Sequence, residues 1–177
     1  MNSTEPITRP PKGQMVDVRP LDSTDRAFRE EMLFEAFFWN PAWPRPTLAV
    51  FREQPEFTKL LADWGWPGDR GILAEEQRTR LGAAWFRLWT PELHSYGFVD
   101  AETPELGIAV VSAHRSKGVG RTLLRALMVI AREDGHRALS LSVSPSNYAR
   151  AFYESEGFQK VGESGTSWTL VLRLDRA

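Results

Sequence analysis

Hydrophobic residues recur along the chain with two different periods, and these periods predict an order of strands and helices. Short stretches with a period of two, typical of strands with one buried face, occur at the start, in the middle and at the end. Between them, apolar residues recur every three to four positions, as in amphipathic helices. The resulting order, β-α-α-β-β-β-α-β-α-β-β, predicts an α/β (α+β) protein with a mixed, mostly antiparallel sheet flanked by helices.

The first half of the chain is predicted to hold one strand, two or three helices and a hairpin. Asp22 or Ser23 fits the cap of the first helix, and the prolines that follow Trp39 end it. Pro55 interrupts the next helical segment. The predicted elements are a strand at 15–21, helices at 22–39 and 47–65, and hairpin strands at 71–75 and 82–89 joined over 76–80.

The second half alternates strands with amphipathic helices. An apolar run at 108–111 predicts the buried part of a strand over 104–112, and residues 138–143 alternate strictly as another strand. Closing strands are predicted at 158–161 and 167–174. The segment after the strand at 104–112 has apolar residues at helical spacing, namely Val119, Leu123, Leu127, Ile130 and Ala131.

Gly118 and Gly120 stand where the turn after the central strand passes into this helix. Glycine lets a ligand approach the backbone, and the first N–H groups of a helix have no partner within it. The helix macrodipole is also positive there, which suits a phosphate group. Three basic residues surround the turn: Arg115, Lys117 and Arg121. The sequence therefore predicts a cradle for a phosphorylated cofactor, although an ordinary strand-to-helix turn has a similar pattern.

The spacing of this loop excludes two common phosphate sites and leaves a third. Lys117 precedes the glycine pair, unlike in a Walker A loop, and Leu123 stands where a dinucleotide fingerprint needs glycine. The pattern Arg115-x-x-Gly118-x-Gly120 resembles the acyl-CoA pyrophosphate loop of the GCN5-related N-acetyltransferase (GNAT) superfamily. Residues 147–158 resemble its downstream signature, in which Asn precedes a short helix with Tyr, and Gly-Phe opens the next strand. The resemblance covers about 71–174.

This resemblance implies the GNAT fold, with a central strand pair that splays apart, and acetyl-CoA as the co-substrate. Strand residues would offer backbone groups to the pantetheine arm, and the loop would hold the pyrophosphate. Serines at 140, 142 and 144 give the next strand a small polar face, which fits either cofactor space or a solvated surface. The implied cofactor-binding residues are Ala109, Val110, Val111, Arg115, Ser116, Lys117, Gly118, Val119, Gly120, Arg121, Asn147 and Tyr153.

Two residues are predicted to carry the proton transfers of an N-acetyltransferase. The attacking primary amine must lose a proton, and the departing thiolate must be protonated or stabilised. Glu105 opens the central strand, where many family members have a glutamate that acts as the base, and a carboxylate beside aromatic residues would have a raised pKa. Glu102, His94 and water are the alternatives. Tyr153 is in the register of the family's proton donor, and Tyr148 is expected at the rim.

The sequence favours direct acetyl transfer in a ternary complex, because no nucleophile for a covalent route stands out. Alternatives are a non-catalytic acyl-CoA-binding or regulatory module on the same fold, and a protein N-terminal or ribosomal acetylase. Tryptophans in Pro- and Gly-rich loops, at 39, 43, 64 and 66, are candidates for the wall of an acceptor pocket. Carboxylates expected near its entrance, Asp100, Glu102 and Glu105, would favour a cationic amine with an apolar body over glutamate.

The composition and net charge limit which partners and which kinds of site the protein can have. The chain has 42% hydrophobic residues, 25% charged residues and a net charge of −1, so nucleic acid is not favoured as a partner. The absence of cysteine excludes disulfides, thiolate metal sites and a cysteine nucleophile, and no metal site is predicted. We expect a flexible tail at 1–14, one acetyltransferase domain at 15–177 and a cytoplasmic location without membrane contact. The acceptor would be a small-molecule or peptide amine, and a homodimer is left open.

Overall fold

A computed structural model describes residues 16–174, so the predicted tail at 1–14 lies outside the described residues. Within this range, seven strands form one sheet, and the elements follow the predicted order, with the predicted helical segment at 47–65 divided into two helices. The strands and helices are β1 (Asp17–Pro20), α1 (Arg26–Phe37), α2 (Leu48–Glu53), α3 (Pro55–Leu61), β2 (Arg70–Glu76), β3 (Thr79–Arg87), β4 (Glu105–Val110), α4 (Val119–Glu133), β5 (Ala138–Val143), α5 (Ala149–Ser155), β6 (Gln159–Ser164) and β7 (Ser167–Arg173).

The sheet has the order β1-β2-β3-β4-β5-β7-β6, and every neighbouring pair is antiparallel except β4 with β5. These two parallel strands are paired at a single position, Glu105 with Ser140. The Ser140 N–H donates to the Pro104 carbonyl at 3.0 Å. Beyond this point the strands separate, which confirms the predicted mixed sheet with a splayed central pair.

Alternation along the strands divides the core between the two faces of the sheet. In β3, Ala84 and Phe86 pack in the cluster around α4, whereas Ala83 and Trp85 pack in the cluster around α1, α2 and α3. The α4 cluster is aliphatic at its centre, with three leucines of the helix fully buried. The α1–α3 cluster is rich in aromatic rings, such as Phe51 and Phe57 at 4.3 Å between centroids. The α4 face is therefore mainly aliphatic, although Phe86, Tyr153 and Phe158 are buried in it, and the other face is richer in aromatic rings.

Several boundaries differ from the prediction for local reasons. The first helix is preceded by a single 3-10 turn at Ser23–Asp25, where Asp22 and Asp25 form a capping box. The hairpin turn is shorter than predicted, because Gln77 and Arg78 both adopt positive φ, at 49° and 68°, and make a two-residue connection. Neither residue is a glycine, so the usual signal for this turn is missing from the sequence. Pro55 opens α3, as expected for a break between two short helices.

Candidate active site

The predicted phosphate cradle forms at the start of α4. Gly118 is the N-cap and has φ of +86°, a conformation that glycine adopts without strain. A Cβ at Gly118 would meet nothing within 4 Å, so its backbone conformation, and not crowding, favours glycine there. Gly120 lies in the first turn, and its missing Cβ would be 3.7 Å from a Val110 methyl group. Val119 buries its side chain in the core, which leaves only its backbone available to a ligand.

Two of the three basic residues near the cradle already contact carboxylates of this chain. Arg115 donates from Nε to the Val110 carbonyl at 2.9 Å and from Nη2 to Glu35 at 3.0 Å. Arg121 pairs with Glu156 at 2.6 Å. The exposed Lys117 has no ion pair within residues 16–174. These side chains stand around the start of α4, but a phosphate would have to share or replace their present partners.

Glu156, at the end of α5, forms ion pairs with both Arg121 and Arg125 of α4. The Arg125 and Arg121 guanidiniums hold the pKa of this carboxyl below its usual range. Both arginines remain accessible to solvent, with 50% of the Arg121 side chain and 65% of the Arg125 side chain exposed. Their bonds to Glu156 are therefore open to competition from water and from anions.

A cavity of about 110 Å³, the small cavity, lies in the gap between β4 and β5. It brings together five of the predicted cofactor-binding residues: Ala109, Val110, Arg115, Asn147 and Tyr153. Asn147 Oδ1 accepts a hydrogen bond from the Ala149 N–H at 2.8 Å. Asn147 thus stabilises the start of α5 from the position just before the N-cap, Tyr148.

Tyr153 forms part of the wall of the small cavity and is otherwise buried. Its ring lies 5.3 Å from the Phe152 ring and 5.7 Å from the Phe158 ring. Burial raises the pKa of the Tyr153 phenol further above its usual range, so the hydroxyl stays protonated and available as a donor. Tyr148 is 63% exposed and lies against Trp39, at the rim as predicted.

A second cavity of about 780 Å³, the large cavity, adjoins the first and shares Trp39, Gly107 and Asn147 with it. Its wall contains five tryptophans, at 39, 43, 64, 85 and 89. Three of the four tryptophans predicted for an acceptor pocket therefore line it. Trp66 does not, and it is 57% exposed. Ser142 and Ser144 of the predicted serine face line this cavity, whereas Ser140 is fully buried.

Glu105 lies in the wall of the large cavity, at the one position where β4 and β5 are paired. Its Oε1 accepts the Gly97 N–H at 2.9 Å, and its Oε2 is buried without a partner among the described residues. Burial raises the pKa of Glu105 to about 7, against the opposing effects of the Gly97 N–H, the Ser95 side chain and the charges of His94 and Lys59. A carboxyl with this pKa can accept a proton near neutral pH.

The other candidate bases do not reach this cavity. Glu102 is exposed, and its N–H donates to Asp100 Oδ1 at 2.9 Å. His94 stacks on Phe98 with 4.6 Å between ring centroids. Glu102, His94 and Asp100 line neither the large nor the small cavity. The acidic entrance expected at Asp100 and Glu102 is therefore not found at these positions.

Two glycines that the sequence reading did not single out shape the site. A Cβ at Gly97 would be 2.7 Å from the backbone of Leu141 and Ser142 and 2.8 Å from Glu105 Oε1. This close approach lets the loop before β4 pass over β5 and donate to Glu105. A Cβ at Gly107 would be 2.7 Å from the Trp85 indole, which packs against β4 at this position and lines the large cavity. Glycine at both positions is set by contacts between distant segments.

The described residues contain no group of three His, Cys, Asp or Glu side chains arranged to hold a metal ion. Among residues 16–174, no helix is both long and apolar enough to cross a membrane.

A family model described as the acetyltransferase (GNAT) family matches residues 30–158 of the 177-residue chain. The chain belongs to the GNAT family. The resemblance inferred from the two motifs is thereby confirmed. This GNAT chain is also 36% identical, over 73 residues, to N-acetyltransferase family 8 member 3 from Mus musculus. That match covers 41% of this chain and 31% of the relative, so the chain spans about a third of the curated relative's length.

Solved structures show the same fold. PaiA N-acetyltransferase from Thermoplasma acidophilum, in complex with coenzyme A, has a TM-score of 0.69 at 17% identity, over 90% of this chain and 99% of that chain. YncA from Salmonella typhimurium, with its cofactor acetyl-CoA, has a TM-score of 0.63 at 24% identity, over 92% of this chain and 95% of that chain. At these identities the likeness concerns the fold, and it confirms the GNAT architecture predicted from the sequence.

Proposed function

We propose that this chain is an acetyl-CoA-dependent N-acetyltransferase that transfers the acetyl group directly to a primary amine in a ternary complex. Membership of an acetyltransferase family supports the enzyme class. The observation that carries the proposal is the Glu105 carboxyl in the wall of the large cavity, beside the gap between β4 and β5. One of its oxygens accepts a hydrogen bond and the other has no partner among the described residues. A base is thus available where an amine in the large cavity would meet a thioester in the small cavity.

The small cavity and the cradle form the cofactor side of this site. Two of the structural neighbours contain coenzyme A or acetyl-CoA, which supports the same co-substrate here. Beyond Glu105, the separated strands leave the backbone N–H of Val110 facing the gap and available to a pantetheine arm, as in strand addition. The Val111 N–H donates to the Leu81 carbonyl and the Val111 carbonyl accepts the His114 N–H, both at 2.8 Å, so these groups are already used. Ala109 alternates with Val110 along the strand, and its backbone groups therefore face β3, where it is in register with Ala83. The start of α4, at Gly118 and Gly120, suits the pyrophosphate, because helix N-terminal N–H groups bind anions. Acetyl-CoA would supply the activated thioester carbonyl.

The large cavity forms the acceptor side, and the chemistry there follows from the protonation states. Glu105 accepts a proton from the amine, since its pKa lies near neutral pH. Tyr153 stays protonated and donates a hydrogen bond to the sulfur as the thiolate leaves. Because an ordinary thiol has a pKa well below that of this phenol, a hydrogen bond is favoured over complete proton transfer from Tyr153. This refines the predicted role of Tyr153 as a proton donor.

Binding is tested separately from turnover. Acetyl-CoA at about 100 times its Kd should stabilise the native chain by about 2.7 kcal/mol, or roughly 5–10 °C in Tm. Dephosphorylated pantetheine should give a much smaller shift. Gly120→Glu places a carboxylate at the cradle and should abolish the shift with acetyl-CoA. Val129→Glu is the matched control, because Val129 is exposed on the same helix, away from its start.

Two outcomes would contradict the proposal at different steps. Normal acetyl-CoA binding by Gly120→Glu would move the phosphate site elsewhere. Binding of acetyl-CoA without release of free thiol, in a broad screen of amines, would favour the non-catalytic acyl-CoA-binding module. The cytoplasmic location, the homodimer and the ribosomal or N-terminal acetylase alternative stay predictions from the sequence.

A further inference from the structure

Two arginines line the large cavity, and one of them is fully satisfied by its own chain. Arg87 binds both oxygens of Asp69, from Nε at 2.9 Å and from Nη2 at 2.7 Å. It also donates to the carbonyls of Ala62 and Asp63, each at 2.9 Å. The side chains of Arg87 and Asp69 are 9% and 3% exposed, so the pair is buried and its charge is balanced. Arg87 therefore has a structural role in the cavity wall.

Arg29 is in the opposite situation. Only 3% of the residue is exposed, and Nη2 makes its one hydrogen bond, to the Leu60 carbonyl at 3.0 Å. Its Nε is buried without a partner, and no carboxylate of residues 16–174 forms an ion pair with it. The guanidinium lies 3.9 Å from the centre of the Trp64 ring, which holds it in place in the cavity wall.

The charge on Arg29 persists despite its burial. Desolvation and the nearby charge of Arg87 lower the pKa of Arg29 to about 10, which still leaves it protonated at neutral pH. A buried cation without a counter-charge is costly, so proteins rarely keep one unless it has a partner. The charges of Asp69 and Glu30 offset part of this cost, but no carboxylate of residues 16–174 forms an ion pair with Arg29, and the cavity beside it has room for a bound carboxylate. A guanidinium fork matches the two oxygens of a carboxylate.

We propose that Arg29 binds a carboxylate of the acceptor, so that the acceptor is an amino acid with an apolar or aromatic body. The amine would lie at Glu105, the carboxylate at Arg29 and the apolar body against the tryptophans of the large cavity. This names the substrate class of the proposed acetyl transfer and therefore rests on it. It keeps the apolar body of the expected amine but adds a carboxylate, since of the three acidic residues behind that expectation only Glu105 lines the cavity.

The first test uses the unaltered protein and pairs of amines that differ only in the carboxylate. One pair is phenylalanine and phenylalaninamide, and the other is 4-(aminomethyl)benzoate and 4-methylbenzylamine, which place the carboxylate near to and far from the amine. The member with the carboxylate should have a kcat/KM about ten-fold higher or more in at least one pair. The absence of this preference in both pairs would overturn the proposal, and better use of phenylalaninamide in that case would favour a peptide N-terminus as acceptor.

The second test compares Arg29→Gln with Arg26→Gln. Arg26 lies on the same helix, but its side chain is 79% exposed and pairs with Glu30. Arg29→Gln should remove the preference for the carboxylate, mainly through KM, while Arg26→Gln should keep it. The Tm shift with acetyl-CoA should survive in both variants, because neither residue lines the small cavity. A preference that persists in Arg29→Gln would overturn the assignment of Arg29.

The two proposals fail in different ways. If no amine leads to thiol release while acetyl-CoA still raises the Tm, the acetyl transfer itself is wrong, and this inference falls with it. If amines are acetylated but carboxylates confer no advantage, only the substrate class is wrong. Should Arg29→Gln not fold, the paired substrates with the unaltered protein still decide.

Discussion

The cofactor side and the acceptor side meet at β4, but they are assembled in different ways. The cofactor side uses backbone groups and two short motifs, in the segments around 115–121 and 147–158, and its charged pairs are partly exposed. The acceptor side is built from side chains of α1, α3, β3 and the intervening loops, and its central ion pair is buried. A local motif can therefore specify cofactor binding, whereas acceptor choice depends on contacts between segments that are distant in sequence.

The largest expected difference between the two sides is in stability. Arg87→Met leaves the buried Asp69 carboxylate without its cationic partner, with only the Gly65 and Trp66 N–H groups still donating to it, and it should lower the free energy of unfolding by about 3–5 kcal/mol. Arg121→Met on the cofactor side should cost about 1 kcal/mol or less, because Arg121 is half-exposed and Arg125 still pairs with Glu156. Urea unfolding of both variants measures this. Similar losses in the two variants would contradict the view that only the acceptor side depends on a buried pair.

The second-largest expected effect is on activity, which a change on the acceptor side should lower without altering cofactor binding. Glu105→Gln removes the proposed base and should lower kcat by about 10²-fold at neutral pH, with a smaller loss at high pH, where more amine is already deprotonated. The Tm shift with acetyl-CoA should not change. Glu102→Gln serves as the control, since this exposed glutamate lines neither cavity. An unchanged kcat in Glu105→Gln would assign proton removal to water.

The smallest expected effect is on the pH dependence of stability. Because burial raises the pKa of Glu105 to about 7 from its ordinary value of 4.5, the neutral carboxyl is favoured in the folded state. Its contribution to stability is complete below pH 4.5 and is lost as pH rises through 7. Glu105→Gln should therefore gain a few degrees in Tm relative to the unaltered protein at pH 8.5, but not at pH 4.5. The same Tm difference at both pH values would show that Glu105 is not desolvated as described.

The sequence was most informative where a short segment determines its own conformation. Gly118 could be placed at the start of a helix, and it adopts the positive φ that favours glycine there. The alternation in β5 separated Leu139, Leu141 and Val143, which pack in the α4 cluster, from the serines between them. The order of elements followed from the hydrophobic periods, and the splayed central pair was implied by the family resemblance. The position of Glu105 in a cavity wall agrees with its choice as base, although its role stays a prediction.

The acceptor side could not be read in the same way. Gly97 is a glycine because β5 and Glu105 lie against it, and nothing in its own neighbourhood in the chain indicates this. Arg29 and Arg87 differ only in what surrounds them, since Asp69 reaches one and not the other. Asp100 and Glu102 are close to Glu105 in sequence, but the loop carries them away from the cavity. Long-range packing decided each of these outcomes.

The single pairing between β4 and β5 also has a consequence for how the sheet holds together. A sheet is usually weakest at its edge strands, where main-chain groups lack a neighbour. Here the β4 amides and carbonyls that face the gap lack strand partners beyond Glu105, although β4 is the fourth of seven strands. Local opening should therefore begin along this central seam, between a four-stranded and a three-stranded unit, and hydrogen exchange should be fast there. A molecule that spans the seam joins the two units and slows exchange in both.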